Sequence, residues 1–319
     1  MRPTPESPDF MIGKFAIHNI EEWQGEFARP QDLFAGFDAK DFATFSARIP
    51  LDYYHPQSDR IYAFLQSWVI CANGLTILYD TGAGNDKPRP GIPVFGDLHT
   101  PFLSNLARAG FAPEDIDIVI CSHLHIDHVG WNTRLENGAW VPTFPRARYL
   151  MSSIDRNYWD PAGSGDRPSL TGSQVNAQVF EDSVQPILDA GLAELVDGTY
   201  EVAPGITLWL APGHTPGHLV LELQSQGENA LFVGDILHHP AQVFRPDWNS
   251  VYCEDQGAAR QTRRKILQQA ADRQARVVPA HFGGSHSVWI EHCDDGFRPR
   301  FPHSEPDVSR IGPEGAGHE

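Results

Sequence analysis

The chain has 319 residues, 41% of them hydrophobic and 11% aromatic, so it can bury a sizeable core. Its 24 basic and 41 acidic residues give a formal charge of −17, which argues against functions that hold phosphates on a cationic surface. No segment approaches the length of a membrane span and the first thirty residues lack a signal-peptide pattern, so we expect a cytoplasmic protein without a nucleic-acid or membrane partner.

The first elements are predicted from local composition. Residues 1–11 are rich in proline and are expected to form a loose tail ahead of a single domain over residues 12–296. Apolar runs at 61–71 and 75–79 are joined by an Asn-Gly pair, which is a strong signal for a β-hairpin. Residues 100–109 carry an apolar stripe at helical spacing, so we predict a helix there.

The most informative feature is a cluster of polar side chains directly after the apolar run 116–120. The cluster reads His123-Leu124-His125-Ile126-Asp127-His128. If a strand ends here in a tight turn, His123 and His125 face the same way, because side chains alternate with period two. Asp127 and His128, beyond the turn, then face a second point nearby. Imidazole and carboxylate groups together suit zinc and its neighbours, so the cluster predicts a metal site.

The segment 132–173 has a less regular pattern than the rest of the chain. Within it, residues 160–168 predict an exposed loop near the metal site. Two interpretations stay open for this loop: it shapes a substrate pocket, or it is an ordinary surface excursion.

Three more candidate ligands follow short apolar runs later in the chain. His214 comes just after the run 206–210, whereas Asp235 and His281 end two further runs. Together with the first cluster, four strand ends would deliver five His and two Asp to one rim of the protein, which is how a site is built on rigid elements. This set is sufficient for two metal ions that share one carboxylate.

The remaining C-terminal pattern predicts a helix over 255–274 and an extended tail over 297–319. On the helix, Ala259 and Ile266 mark the buried side, and the charged Arg263, Arg264 and Lys265 are expected on a solvated face. The four cysteines have no Cys-x-x-Cys spacing and are expected to be free thiols.

The pattern His-x-His-x-Asp-His followed by a distant His, an Asp and a final His resembles the metallo-β-lactamase-fold hydrolases. The resemblance covers residues 61–282 and includes the segment Asp80-Thr81-Gly82. It implies an α/β (α+β) class fold, a four-layer αββα sandwich of two mixed sheets with helices outside. It also implies two metal sites: His123, His125 and His214 bind one ion, Asp127, His128 and His281 bind the other, and Asp235 bridges them.

Within that superfamily the segments 127–132 and 140–145 resemble the quorum-quenching N-acyl homoserine lactonases and the methyl parathion hydrolases. Several of these lactonases carry a Tyr three residues after the bridging Asp, where this chain has His238. The resemblance implies a dinuclear hydrolase in which a metal-bridging hydroxide opens lactones or cleaves related esters. Zinc is favoured, and Mn, Co or Fe remain open.

Three alternatives remain. An organophosphate triester or aryl ester hydrolase fits the same ligands, as does an iron-dependent sulfur dioxygenase on the same fold. A non-catalytic binding protein is disfavoured because the ligand set is complete. The substrate is expected to be a small ester or lactone, and assembly into a homodimer stays open.

The catalytic candidates are Asp127, Asp235 and His238, the last as a hydrogen-bond donor or proton shuttle, with a structural role equally open. An apolar substrate wall is predicted from Trp131, Phe244 and Trp248, with core packing as the alternative. Asp80 is a candidate to hold the second nitrogen of a ligand histidine, although the sequence does not assign its partner. Four further histidines are interpreted as structural: His218, His239, His286 and His292.

Overall fold

The architecture is that of a computed structural model, which describes residues 7–163 and 174–302. In the first half of the chain the strands are β1 (Phe10–Ile12), β2 (Phe15–Glu26), β3 (Phe34–Ala35), β4 (Tyr54–His55), β5 (Arg60–Ala72), β6 (Leu75–Tyr79), β7 (Ile118–Ile120), β8 (Thr133–Glu136), β9 (Ala139–Pro142) and β10 (Arg148–Ser152). In the second half they are β11 (Ala193–Val196), β12 (Tyr200–Ala203), β13 (Ile206–Leu210), β14 (Leu219–Ser225), β15 (Glu228–Gly234), β16 (Asn249–Ser250), β17 (Arg276–Pro279), β18 (Val288–Cys293) and β19 (Gly296–Arg300).

The described residues also form α-helices and a short π-helical segment, Phe180–Val184. The α-helices are α1 (Pro30–Leu33), α2 (Ala39–Phe45), α3 (Phe102–Arg108), α4 (Ser153–Trp159), α5 (Gln185–Asp189), α6 (Ala241–Phe244) and α7 (Gln256–Arg273). None of these helices combines the length and apolarity that crossing a bilayer requires.

Two large mixed sheets organise the fold. The first has the order β1-β2-β5-β6-β7-β10-β11, with β4 added beside β5, and its strands β6, β7, β10 and β11 run parallel to one another. The second has the order β12-β13-β14-β15-β17-β18-β19, with one parallel pair, β15 and β17. Because β7, β15 and β17 each belong to a parallel pair, the carboxyl ends of neighbouring strands meet at one edge of each sheet.

The sheets pack face to face over a shared apolar interior. Ile70 and Ile120 of the first sheet lie in one buried cluster with Leu208 and Phe232 of the second. A separate cluster covers the outer face of the first sheet under α3, and another covers the outer face of the second sheet under α7. This αββα layering confirms the predicted four-layer sandwich.

The predicted hairpin and helices are confirmed, with boundaries shifted by a residue or two. Strands β5 and β6 pair in antiparallel register across Asn73 and Gly74, whose φ angles of 53° and 78° are those of a two-residue turn with a left-handed backbone. Helix α7 begins after Asp255, whose side chain accepts hydrogen bonds from the backbone N–H groups of Gly257 and Ala258.

One prediction for helix α7, the exposure of Arg263, was wrong. Arg263 was expected on the solvated face, but it is fully buried. Its guanidinium donates to the carbonyl oxygens of Ile236 and Pro246, each at 2.7 Å, so the helix is tied to the segment that follows β15. Arg264 and Lys265 are exposed, as predicted.

The folded domain extends beyond the predicted bounds of 12 and 296. Phe10 and Met11, expected in the N-terminal tail, belong to β1, which pairs with β2. Residues 297–300 form part of the edge strand β19, where Pro299 faces Ile290 of β18. An edge strand tolerates proline because one side of its backbone has no sheet partner. Residues 1–6 and 303–319 lie outside the described residues.

The segment 132–173 is more regular than predicted, since it contains the hairpin β8–β9, strand β10 and helix α4. Residues 161–163 are exposed, in agreement with the predicted loop, and residues 164–173 lie outside the described part of the chain. The cysteines are free thiols, as expected.

Candidate metal centre

The candidate ligands lie between one and eight residues beyond the ends of β7, β13, β15 and β17. Strand alternation was the wrong reason to expect His123 and His125 to face one point. Strand β7 ends at Ile120, so His123 and His125 lie in turns rather than on the strand, and a hydrogen bond from His128 N to His125 O at 3.1 Å closes the turn. The turn, and not the pleat, brings the two side chains together.

Three imidazole nitrogens converge on one point. His123 Nε2 lies 3.0 Å from His125 Nδ1, and His214 Nε2 lies 3.1 Å and 2.9 Å from those two atoms. Asp235 Oδ2 completes the group at 3.2 Å from His214 Nε2. Ligands bound to one tetrahedral zinc at about 2.0–2.1 Å have a similar mutual spacing of about 3.3 Å.

The chemistry of these nitrogens fits a cation between them. Ser122 Oγ, which donates to Asp80, accepts from His123 Nδ1 at 3.0 Å, so the inward Nε2 of His123 carries a lone pair. Burial lowers the pKa of His123 and of His125 well below the ordinary value, which keeps both rings in the neutral form that binds metal. Facing lone pairs repel each other unless a positive ion lies between them.

A second group lies beside the first. Asp127, His128 and His281 present ligand atoms within 4.8 Å of one another, and Asp127 lies 3.6 Å from His128 Nε2 and 3.5 Å from His281 Nε2. Asp235 turns its other oxygen, Oδ1, to this group, at 3.3 Å from His128 Nε2 and 3.0 Å from His281 Nε2. Both His128 Nε2 and Asp235 Oδ1 are buried without a hydrogen-bond partner, as expected of ligand atoms for a second ion.

Polar groups outside the two clusters hold the ligand rings. Asp80 Oδ2 accepts from His128 Nδ1 at 2.9 Å, which supplies the partner that the sequence left unassigned. Phe64 O accepts from His281 Nδ1 at 2.9 Å, and Cys253 Sγ lies 3.6 Å from His214 Nδ1. Such contacts fix the orientation of a ligand ring and raise its basicity.

Replacing Asp80 with alanine is expected to weaken metal binding about 10- to 100-fold, because His128 loses the acceptor that orients its ring. Competition with a chromogenic chelator measures the change. Asp86→Ala, on the exposed part of the same loop, is the matched control and should bind metal like the wild type. Equal metal affinity in the Asp80 and Asp86 variants would show that Asp80 does not support the site.

A cavity opens over the two groups. Its floor contains His125, Asp127, Asp235, His238 and His281. Its walls are mainly apolar and come from distant parts of the chain: Phe27, Leu33, Ile61, Ala63, Leu65, Ile92, Phe95, Ile126, Val175 and Tyr252. A small ligand with an apolar arm and a polar group at the floor matches this distribution.

The predicted aromatic wall does not line this cavity. Trp131 stacks on Phe102 with ring centroids 5.4 Å apart, and Phe244 stacks on Phe45 at 4.7 Å. Trp248 packs in the same buried cluster as Phe244. The three side chains therefore belong to the core, where large apolar rings bury the most surface.

His238 lies in the cavity floor, with its Nε2 3.2 Å from Asp235 Oδ2. Burial lowers the pKa of His238 to about 4. Its neighbour His239 faces away, since its ring bonds the Tyr53 carbonyl and the Ala241 N–H. His218 accepts from Asp235 N at 3.2 Å, so it fixes the backbone of a ligand without joining a cluster.

A known protein family matches the part of the chain that carries these ligands. The sequence profile described as "Metallo-beta-lactamase superfamily" matches residues 65–281, which is more than half of the chain. The chain belongs to the metallo-beta-lactamase superfamily. The resemblance found in the sequence is thereby confirmed at the level of the family and its fold.

Curated relatives within the superfamily are N-acyl homoserine lactonases. One from Bacillus cereus is 31% identical over 124 residues, and the match spans 38% of this chain and 39% of that protein. The lactonase AiiB from Agrobacterium fabrum is 24% identical over 250 residues, which is 72% of this chain and 83% of the relative. The chain thus matches well under half of the length of the Bacillus relative.

Solved structures of the superfamily share the whole fold. The hydrolase AbOPH superposes with a TM-score of 0.76 at 22% identity, over 93% of this chain and 97% of that one. AidC, described as a dizinc quorum-quenching lactonase, gives a TM-score of 0.74 at 24% identity, over 92% and 96%. At these identities the likeness establishes the fold alone.

Sequence analysis did not identify two buried carboxylates that hold the loops around the site. One is Glu22, which a register shift in the pairing of β2 with β5 turns into the protein. It accepts from the N–H groups of Ala83 (2.7 Å) and Gly84 (3.0 Å), from Trp131 Nε1 (2.8 Å) and from Thr100 Oγ1 (3.3 Å). Burial raises the pKa of Glu22 to about 7. A lone Glu in a strand gives no sequence signal for such a role.

The other missed carboxylate is Asp155 on α4. It accepts from Leu124 N at 3.3 Å, Thr215 Oγ1 at 2.7 Å and Gly217 N at 2.5 Å. Burial raises the pKa of Asp155 to about 6. Because Leu124 and Thr215 each adjoin candidate ligands, this side chain fixes the distance between the two ligand-bearing loops.

Proposed function

We propose that the protein is a dinuclear metal-dependent hydrolase that opens lactones of the acyl homoserine lactone type or cleaves related esters. The proposal rests on the position of the Asp235 carboxylate between the two clusters. Its Oδ2 faces one histidine cluster and its Oδ1 faces the other. The seven candidate ligands would hold two divalent ions, with zinc favoured.

When bound, such a pair supplies Lewis acidity and a water whose pKa lies near neutrality, which is the chemistry of ester hydrolysis at physiological pH. Asp235 would fix the spacing between the two ligand groups. Asp127 reaches the cavity floor and offers a carboxylate oxygen that can accept a proton or a hydrogen bond from the attacking water. The apolar walls exclude bulk water and hold the acyl part of the substrate.

His238 would donate a hydrogen bond to the substrate carbonyl or to the leaving alkoxide. In the floor of the cavity it occupies the sequence position at which several lactonases carry a tyrosine. A lactone suits this arrangement because its leaving group stays tethered and needs charge stabilisation more than a strong acid.

The lactonase relatives support the lactone part of the proposal, and AidC supports zinc. A second candidate is the hydrolysis of aryl esters or organophosphate triesters. It is favoured by the aromatic residues Phe27, Phe95 and Tyr252 in the cavity wall, which can pack against a flat leaving group.

The proposal is tested by a pH-stat assay of the zinc-loaded protein on N-hexanoyl homoserine lactone, phenyl acetate and paraoxon. Ring opening of the lactone as the fastest reaction supports the lactonase proposal. Faster turnover of paraoxon or phenyl acetate assigns the protein to the second candidate. No hydrolysis of any of the three by a protein that holds two metals contradicts both.

His238→Ala is expected to lower kcat about 10- to 100-fold, because a positioned donor is lost from the reacting region, while metal content stays unchanged. Turnover and elemental analysis of the same sample measure both quantities. His239→Gln is the matched control, because that ring bonds backbone groups away from the cavity. If His238→Ala turns over like the wild type, the residue is structural.

A further inference from the structure

A buried network of charges stands directly behind one wall of the cavity. It consists of Lys87, Arg89 and Asp182, whose side chains are between 0% and 8% exposed. Arg89 makes a bidentate pair with Asp182, from Nη1 to Oδ2 at 2.6 Å and from Nη2 to Oδ1 at 2.8 Å. The mechanism proposed above uses none of the three, so their burial needs another reason.

The network has one positive charge more than it has negative charges, and the contacts of Lys87 stabilise that charge. Lys87 Nζ donates to Thr133 Oγ1 at 2.9 Å and to the Asp182 carbonyl at 3.3 Å, and it lies 3.6 Å from the centre of the Trp140 ring. Charge-assisted bonds of this kind are stronger and more directional than neutral ones, and a ring face stabilises a cation. The network therefore joins the loop 85–98, the hairpin β8–β9 and the segment 174–184.

Two of these three segments carry residues of the cavity wall. The backbone turn that starts at Arg89 leads directly to Ile92 and Phe95, through hydrogen bonds from Ile92 N to Arg89 O (3.1 Å) and from Phe95 N to Ile92 O (2.9 Å). On the other segment, Asp182 lies in the π-helical stretch Phe180–Val184, seven residues after Val175 of the cavity wall. A Cβ atom added at Gly91 would lie 2.3 Å from Gln174 O, so the two segments are in direct contact.

We propose that the Lys87–Arg89–Asp182 network sets the preference for long acyl chains by holding Ile92, Phe95 and Val175 together as one rigid wall. The inference rests on the proposed hydrolase function for its kinetic test. The three charged residues act as positioning residues, since they lie behind the wall and the apolar side chains make the contact with substrate. A wall that moves loses dispersion contacts with a long chain, whereas a short chain does not reach it.

The test compares N-decanoyl with N-butanoyl homoserine lactone in Arg89→Met. This change removes the bidentate pair and leaves Lys87 and Asp182 in charge balance, so no uncompensated charge is buried. The ratio of kcat/KM between the two substrates should fall about tenfold, roughly the contribution of two buried methylenes. The loss should arise from a higher KM for the long chain, with kcat nearly unchanged.

Hydrogen exchange supplies a readout that does not need activity. In Arg89→Met the amides of 85–98 and 174–184 should exchange at least about tenfold faster than in the wild type, with those of β14 and β15 unchanged. Lys87→Met keeps the bidentate pair and should show smaller changes in the substrate ratio and in the exchange rates. It is the test variant if Arg89→Met does not fold. Arg245→Met removes the Arg245–Asp41 pair away from the cavity and should alter neither readout.

An unchanged substrate ratio in folded Arg89→Met and Lys87→Met overturns the inference, as does an equal fall of the ratio in Arg245→Met. If the wild-type protein hydrolyses neither lactone, the lactonase part of the proposed function fails. Hydrogen exchange then tests the inference without any activity. Faster exchange confined to segments 85–98 and 174–184 supports the rigid wall, and unchanged exchange contradicts it.

Discussion

Asp235→Asn is expected to lower kcat/KM on the order of a thousandfold, well beyond the roughly 10- to 100-fold effect of losing a residue that only supports a ligand. Asp235 Oδ2 lies 3.2 Å from His214 Nε2, and Oδ1 lies 3.0 Å from His281 Nε2. An amide offers one neutral oxygen and an NH₂ group, so it cannot serve both clusters as an anion. Kinetics on the lactone and elemental analysis of the same preparation measure the effect, and metal content should fall from about two ions per chain towards one.

The variant should keep its fold, because Asn has the shape of Asp and the bond from the backbone N–H of residue 235 to His218 is unaffected. Asp272→Asn is the matched control, since that carboxylate lies on the surface and pairs with His292. Full activity of Asp235→Asn with two metals bound would falsify the bridging role.

Glu22→Ala is expected to lower the free energy of unfolding by about 3–5 kcal/mol, because three buried donors lose their acceptor at once and a partly buried hydroxyl loses one of two. The donors belong to Ala83, Gly84, Trp131 and Thr100. The midpoint of thermal unfolding should fall by roughly 6–10 °C, as measured by calorimetry on the metal-loaded protein. Metal content should stay unchanged, since Glu22 contacts no candidate ligand in the described structure.

The neighbouring Glu21→Ala is the control for this change. Glu21 is only partly buried and accepts from the side chain of Gln24, a contact of the kind whose loss costs within about 1 kcal/mol. Equal stability of the two variants would mean that Glu22 does not organise the loop between β6 and the cavity.

The ligand set was accessible from the sequence because each member has a distinctive side chain at the end of an apolar run. Their geometry was not. His123 and His125 meet through a turn beyond β7, so the structure brings the predicted residues together for a different local reason from the one expected. Asp235 could be proposed as a bridge only through the family resemblance, because its two oxygens face ligands far apart in the chain.

The cavity wall escaped prediction for a different reason. Apolar residues in a wall and in a core have the same composition, and Phe27, Phe95 and Val175 come together only in the folded chain. Trp131 and Phe244 lie close to the ligands in sequence, and this proximity favoured them wrongly. Side-chain contacts, and not distance along the chain, decide between wall and core.

The burial of Arg263 could have been predicted from its helical spacing, although its residue type suggested exposure. It lies four residues after Ala259 and three before Ile266, which places it on the buried stripe of α7. Its charge suggested solvent, yet the carbonyl groups of Ile236 and Pro246 supply acceptors inside the protein. For Arg263, the helical periodicity predicted burial better than the residue type did. Residue type also misled at β19, where prolines suggested a loose tail although an edge strand accommodates them.

Counting bound metal ions while activity is restored shows whether the protein is a dinuclear hydrolase. The protein is stripped with a chelator and titrated with zinc, and bound metal and lactone hydrolysis are measured at each point. The expected result is that hydrolysis is absent without metal and returns as binding approaches about two ions per chain. Full hydrolysis at one ion per chain would contradict it, as would a purified protein that holds one iron, consumes oxygen with a sulfur substrate and hydrolyses no ester.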